Sequence, residues 1–366
     1  MKVPYGYLKR QYNAKRAEYI WRKFVKPVVT RGDFTLGKEV HKFEDKLCKF
    51  TGSKYSLGVA DGTNALILGL KALNVGKGDE VLVPSLTFIA SAAVISLVGA
   101  TPVFCPVNNK FVIDENWLEE AITKKTKAIM AVHYQGQPCN MKKIMAIARK
   151  HNLAVVEDTA QALGASIDGK ACGTFGDVAG ISFHPQKNMN CWGDGGAVLT
   201  QSKECYTFIK RFRNHGGFVR DQHDIVGSNS RLDTTNAAVL LHDIGHLKAH
   251  NKRRAQIAKR YDTEIKGIVL TPRNKNEVHT YHLYMSRVPA LERNSLLDHL
   301  RRRGVDAKIH YPKPLYANPA FKNVRHRVVK KQEIIHDQLI SFPIHQFMTD
   351  KEVDYVIKSV NKFYEG

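Results

Sequence analysis

An α/β fold is predicted, with a mostly parallel central sheet flanked by helices and a smaller C-terminal α/β domain. Three observations predict it. Short apolar runs alternate with stretches of helical period between residues 55 and 200. Most strand candidates are separated by a helix, which implies crossover connections and parallel pairing. The chain has 366 residues, enough to bury a large core and to add a second, smaller unit.

The elements follow in order. Tyr55–Ala60 reads as a strand and Thr63–Leu73 as a helix. Glu80–Pro84 is a strand, Ile89–Leu97 a helix and Thr101–Val107 a strand. Trp117–Thr123 is helical, Lys127–Tyr134 a strand, Met141–His151 a helix and Leu153–Glu157 a strand. Ala179–Phe183 and Gly196–Thr200 are strands. A long helical stretch, Leu232 to about Ile265, bridges to a second domain. That domain holds a strand at Tyr281–Val288, a helix at Ser295–Arg303 and a strand at Asp306–Tyr311. Its last helix opens with Thr349-Asp350-Lys351-Glu352, the spacing of a capping box. The expected division is a large domain over 1–245, including an N-terminal arm, and a small one over 246–366.

Composition is that of a soluble globular protein, with 43% hydrophobic and 25% charged residues. The best apolar run, Ile89–Ala100, is too short to span a bilayer, so no membrane partner is expected. Met1-Lys2-Val3-Pro4-Tyr5-Gly6 lacks the apolar core of a signal peptide, and six scattered cysteines form no CxxC pair. We therefore expect reduced thiols, a cytoplasmic location and no metal site. The net charge of +22 is spread along the chain, densest at 252–260, 301–303 and 325–331, without a nucleic-acid motif. Solvated faces explain such a charge, as does a polyanionic small molecule such as a nucleotide diphosphate; binding of DNA or RNA is not expected.

Lys187 stands out by its company. It lies in Ser182-Phe183-His184-Pro185-Gln186-Lys187-Asn188, after an apolar strand and before Gly193-Asp194-Gly195-Gly196. Upstream, Asp158 and Glu157 end the run Val155-Val156, and Asp61-Gly62-Thr63-Asn64 opens a helix. A lysine delivered into a turn, a carboxylate at a strand end and a glycine turn at a helix start suit pyridoxal phosphate. The lysine can form a Schiff base, Asp158 can pair with the pyridinium nitrogen, and the helix start can hold the phosphate. Each signal alone has a plain alternative. The glycine turn is common at βα junctions, Asp158 suits a helix N-cap, Gln161 a polar helix face, and Phe88 core packing.

Taken together and in order, these segments resemble the DegT/DnrJ/StrS family of pyridoxal phosphate-dependent sugar aminotransferases, of the aspartate aminotransferase-like fold type I. Gly62-Thr63-Asn64-Ala65-Leu66 resembles its phosphate turn and Pro84-Ser85-Leu86-Thr87-Phe88 its ring-stacking segment. Glu157-Asp158-Thr159-Ala160-Gln161 resembles the pyridinium-gripping segment, and Ser182–Asn188 the segment of the Schiff-base lysine. Gly227–Asp233 resembles a segment that crosses the dimer interface. The resemblance implies a homodimer with shared active sites and a cofactor cycling between its aldehyde (PLP) and amine (PMP) forms. It implies Lys187 as the catalytic residue, with Asp158 on the pyridinium, Gln161 on the ring hydroxyl and Phe88 on the ring face. Gly62, Thr63, Asn64 and Ser182 would hold the phosphate, with Asn229 from the partner. Arg231 would clamp the amino donor's carboxylate, since a guanidinium fork matches a carboxylate; Asn229 and Arg231 also suit an interface or a helix start. His310 and Tyr311 would lie near the sugar, or simply end a strand.

The implied activity is transfer of an amino group from glutamate or glutamine to a nucleotide-linked 3- or 4-keto-hexose, for amino-sugar or surface polysaccharide synthesis. A keto-cyclitol such as scyllo-inosose is an alternative acceptor, and a non-enzymatic basic regulatory or nucleic-acid-binding relative an alternative of another class. A dehydratase of the family would carry histidine in place of Lys187. A Rossmann oxidoreductase would show GxGxxG after its first strand, and none is present. The chain departs from the family's usual pattern at His133-Tyr134-Gln135-Gly136, at Leu163 and at Asn188-Met189-Asn190-Cys191-Trp192. These departures are expected near the mouth of the site and to bear on sugar specificity.

Overall fold

The computed structural model describes residues 1–219, 221–324 and 335–365; the basic run 325–331 falls outside them. The central sheet comprises β1 (Tyr55–Val59), β2 (Glu80–Pro84), β3 (Thr101–Cys105), β4 (Thr126–Val132), β5 (Ala154–Asp158), β6 (Val178–Ser182) and β7 (Gly196–Thr200). Their spatial order is β1-β7-β6-β5-β4-β2-β3. Pairings from β3 through β6 are parallel, while β7 runs antiparallel to both β1 and β6. This is the mostly parallel α/β sheet expected. The exception is also where the sequence differs: no helix separates β6 from β7, so β7 can return antiparallel.

This order gathers one end of four strands. Gly196, which opens β7, pairs with Val59 on one side and with Ser182 on the other. Asp158 at the end of β5 pairs with Gly180 of β6. The carboxyl ends of β1, β5 and β6 therefore meet at one rim, the position where open α/β sheets bind ligands.

Helices cover both faces. Gly62–Ala72 packs across β6 and β7. A helix at Lys38–Thr51, not anticipated from the sequence, buries Val40, Phe43 and Leu47 against β6, β7 and the helix Thr234–Asp243. The expected long helix from Leu232 is two helices, Thr234–Asp243 and Leu247–Glu264, broken around Gly245. Glycine's cost inside a helix favours that break.

A second core collects Ile257, Tyr261, Leu296, Leu300, Val353 and Val356 around a two-stranded sheet, Tyr284–Arg287 with Leu339–Phe342. Val3, from the other end of the chain, is buried in it. The expected strand Asp306–Tyr311 does not form beyond a single bridge, Lys308 with Ser341. Its backbone is engaged elsewhere: Asp306 N–H donates to the Val3 carbonyl and Ala307 N–H to that of Val305. The last helix, Asp350–Tyr364, has the full capping box of Thr349 and Glu352.

The rim is braced by a buried ion pair. Arg213 Nη1 lies 2.6 Å from Glu44 Oε1 and 2.6 Å from the Gly58 carbonyl, and Gly58 N–H donates to the same Glu44 oxygen at 2.8 Å. Burial alone would raise the Glu44 pKa; His41 and Arg213 outweigh it and hold the carboxyl below its ordinary range. Arg213→Met should destabilise the protein by about 3 kcal/mol, since it strands a buried carboxylate. A depressed carboxyl contributes stability above its unfolded pKa and loses it as the pH falls. The gap between wild type and variant, followed by thermal melting, should narrow as the solution is acidified from neutrality through the carboxylate range.

Candidate active site

At the rim opens a cavity of about 650 Å³. Of the residues expected in a cofactor and substrate site, Gly62, Thr63, Asn64, Phe88, Asp158, Gln161, Ser182, Lys187, His310 and Tyr311 line it. Asn229 and Arg231 do not. Asn229 is exposed and bridges Asn214, while Arg231 Nη1 donates to Asn214 Oδ1 at 2.8 Å.

The glycines are there because backbone and side chains approach too closely for a Cβ. One added at Gly62 would fall 2.7 Å from Ser182 Cβ, and one at Gly196 would fall 2.3 Å from the Asp61 carbonyl oxygen. The turn after β1 is thereby pressed against β6 and β7. Asp61 caps the helix that starts here: Oδ1 accepts from Asn64 N–H at 2.7 Å and Oδ2 from Asn64 Nδ2 at 2.7 Å. The Asn64 amide is therefore spent on Asp61. The first amides of the helix, at Gly62 and Thr63, and the hydroxyls of Thr63 and Ser182 are the donors left for an anion.

Asp158 is buried. Ser91 Oγ donates to Oδ2 at 2.7 Å and Ala160 N–H to Oδ1 at 3.1 Å, and Thr87 Oγ1 lies 3.0 Å from Ser91 Oγ. Gln161 Oε1 accepts from Gln135 N–H at 2.6 Å, which fixes the carboxamide and leaves Nε2 as a donor. Behind this wall, Glu157 accepts from the N–H groups of Gly173, Phe175 and Gly176 and pairs with His133 Nε2 at 2.9 Å. These contacts overcome the burial that would raise the Glu157 pKa and hold it down. The two acids that end β5 thus have different tasks, Glu157 bracing the strand and Asp158 facing the cavity.

Burial pushes the Lys187 pKa below the ordinary lysine range, and the Asp158 carboxylate opposes that. A lowered amine pKa leaves more of the neutral, nucleophilic form near neutrality. His282, driven well down by burial and by the charges of Lys187 and Arg254, is a neutral imidazole on the same wall. His310 is lowered to about 4 by burial and Lys308, and its Nδ1 lies 3.0 Å from Ser341 Oγ. Burial, with Asp158, raises Tyr311 to about 12, so its phenol stays protonated. Phe88 is 50% exposed, its ring centre 6.2 Å from that of Tyr311. Aromatic faces beside neutral hydrogen-bonding groups suit a polyhydroxylated ligand.

Tyr5, Tyr7, Arg254 and Lys308 also line the cavity and were not anticipated. Tyr5 and Tyr7 sit far from the motifs in sequence, and Arg254 lies inside a basic run that reads as surface. Most of the departures from the family pattern prove to lie behind the cavity, not at its mouth, while Trp192 is exposed. Tyr134, Gln135, Leu163 and Asn188 through Cys191 are buried, and none of them nor Trp192 lines it. The basic run 252–260 is no open patch either: Arg254 is buried, Arg253 pairs with Asp350, and Arg260 pairs with Glu264 and Asp354.

A lysine opposite a carboxylate, over a glycine-walled anion cradle, is the arrangement of a pyridoxal phosphate enzyme of fold type I. The chain belongs to the DegT/DnrJ/EryC1/StrS aminotransferase family, whose model matches residues 19–361. It is 40% identical over 357 residues to a dTDP-3-amino-3,6-dideoxy-alpha-D-galactopyranose transaminase from Aneurinibacillus thermoaerophilus, covering 97% of this chain and 98% of that protein. Its structure matches that of S. venezuelae DesV in complex with a ketimine intermediate, with a TM-score of 0.94, 35% identity and coverage of 100% and 99%. NtdA from Bacillus subtilis with bound PMP matches with a TM-score of 0.93, 29% identity and coverage of 100% and 86%. The protein is an aminotransferase that uses pyridoxal phosphate.

Gly62→Ala should weaken cofactor retention by about tenfold or more, because the added methyl must displace Ser182 or the turn. Spectrophotometric titration of cofactor-free protein with pyridoxal phosphate measures this. Unchanged affinity would mean that the turn does not hold the phosphate.

Proposed function

We propose that this enzyme moves an amino group from glutamate or glutamine to a nucleotide-linked 3- or 4-keto-hexose. The observation that carries the proposal is the pairing, in one cavity, of Lys187 and Asp158 with a wall of neutral aromatic and imidazole groups, Phe88, His310 and Tyr311. The names of the relatives support the acceptor class, since the Aneurinibacillus protein is a dTDP-amino-sugar transaminase.

When bound, pyridoxal phosphate supplies an electron sink for the carbon that loses or gains a proton. The chain's own residues do the rest. Asp158, fixed by Ser91 and Ala160, would hold the proton on the ring nitrogen. Gln161, with Nε2 free as a donor, would reach the ring hydroxyl, and Phe88 would cover a ring face. Ser182 and Thr63, with the first helix amides at Gly62 and Thr63, cradle the phosphate. Lys187 would hold the cofactor, and its amine is the group placed to take the proton from the donor's α-carbon and to return one to the sugar carbon. Its lowered pKa suits the neutral amine that accepts that proton. His310 and Tyr311 meet the sugar.

We also propose a homodimer in which Asn229 and Arg231 complete the partner's site. Both lie outside the cavity of their own chain. Phe34, at 51% exposure, and Val226, at 94%, leave apolar surface for a second copy. A cytoplasmic location fits reduced thiols: all six cysteines are free. No helix among the described residues is long and apolar enough to cross a membrane. We further propose that the chain divides near residue 245, where the helices break.

The acceptor is tested by offering a panel of nucleotide-linked 3-keto and 4-keto hexoses with glutamate or glutamine and identifying products by mass spectrometry. Amination of scyllo-inosose and of none of the hexoses would overturn the nucleotide-sugar reading. Lys187→Ala should fold normally and lose turnover; full turnover in that variant is incompatible with the assignment. Mixing inactive Lys187→Ala with inactive Arg231→Ala should restore about a quarter of wild-type activity through hybrid dimers with one intact site. No restoration would place Arg231 in its own chain's site or in none.

A further inference from the structure

The N-terminal segment runs across the loop that carries Lys187. Tyr7 is buried, at 3% exposure, and its hydroxyl donates to the Lys187 carbonyl oxygen at 2.7 Å. Asn190 Nδ2 donates to the same oxygen at 3.0 Å. Asn190 is itself held, its Oδ1 accepting from Tyr12 Oη at 2.5 Å and from Gln11 Nε2 at 3.2 Å. A carbonyl gripped by two buried donors cannot swing, so the peptide plane after Lys187 is held, and with it the Cα from which the lysine side chain departs.

The Tyr7 ring is fixed in turn. The Arg254 guanidinium lies 5.3 Å from its centre. Arg254 is buried at 1% exposure, with its described hydrogen bonds going to the carbonyls of Tyr281, His282 and Ile344 and to Gln346 rather than to a carboxylate. A cation so placed gains from an aromatic face. The segment is tied down on both sides of Tyr7: Val3 pairs with Val305, and Arg10 grips Glu352 with both terminal nitrogens at 2.8 and 2.6 Å.

We propose that Tyr7 is a positioning residue for Lys187, the N-terminal segment acting as a strap that fixes where the amine can reach. Proton transfer needs the amine within hydrogen-bond reach of the reacting carbon's proton, and a displacement of about 1 Å costs rate far more than binding. The proposal rests on Lys187 being the proton-carrying lysine.

The test uses full-length, cofactor-loaded Tyr7→Phe, which keeps the ring over Arg254 and removes only the hydroxyl. Single-turnover bleaching of the visible cofactor band is followed with glutamate or glutamine, whichever bleaches the wild type. The maximal rate should fall by about tenfold while the half-saturating concentration stays within about twofold. The pH midpoint of the visible band should shift and the melting temperature should hold. Asn190→Ala, which removes the second donor to the same carbonyl, should show the same selective loss and decides the matter if Tyr7→Phe does not fold. A rate and pH midpoint matching the wild type, or a rate that falls only together with the melting temperature, would overturn the proposal. A wild type without a visible band would instead overturn the reading of Lys187 itself.

Discussion

One electrostatic constraint organises the molecule: a half-buried lysine and a buried carboxylate face each other across a single cavity. The amine is the costly member. Burial disfavours the charged lysine, and only Asp158 offsets it. The sheet order meets the constraint by setting β5 beside β6, so that the residue ending one strand faces the loop leaving the other. Asp158 is then immobilised by Ser91 and Ala160, and the Lys187 backbone by Tyr7 and Asn190. Both residues are thus anchored at the cavity wall before any ligand enters.

The second constraint is steric. The antiparallel return of β7 brings Gly196 against the Asp61 carbonyl, and Gly62 against Ser182. These approaches press the start of the helix Gly62–Ala72 onto the end of β6. The phosphate donors and the lysine loop thereby share one rigid wall, whose apolar backing includes Leu66 and Val178.

Much of this was legible in the sequence because the central sheet follows local rules. The strand Glu80–Pro84 matches residue for residue, and the capping box at Thr349 forms as its spacing implies. Most motif residues converge because they sit at a strand end or a few residues beyond one, and strand ends follow from periodicity. What was not legible depends on distant partners. Asp306–Tyr311 looks like a strand, but its first two amides are engaged by the Val3 and Val305 carbonyls. Tyr5 and Tyr7 reach the cavity only because the N-terminal segment is tied to Val305 and Glu352. Arg254 reads as one of a row of surface charges, yet it is the one turned inward, beneath Tyr7. Leu163 and Gln135, expected at the mouth, are packed behind the cofactor wall, where Gln135 serves Gln161 through its backbone.

The central claim is that Lys187 and Asp158 run a pyridoxal phosphate half-reaction with an amino acid. The most direct test is the absorbance spectrum of the purified protein, before and after excess glutamate or glutamine with no acceptor present. The account predicts a visible band that disappears in favour of the near-ultraviolet band of the amine form of the cofactor. A protein that stays colourless after pyridoxal phosphate is added, or a visible band that neither amino acid changes, would contradict it.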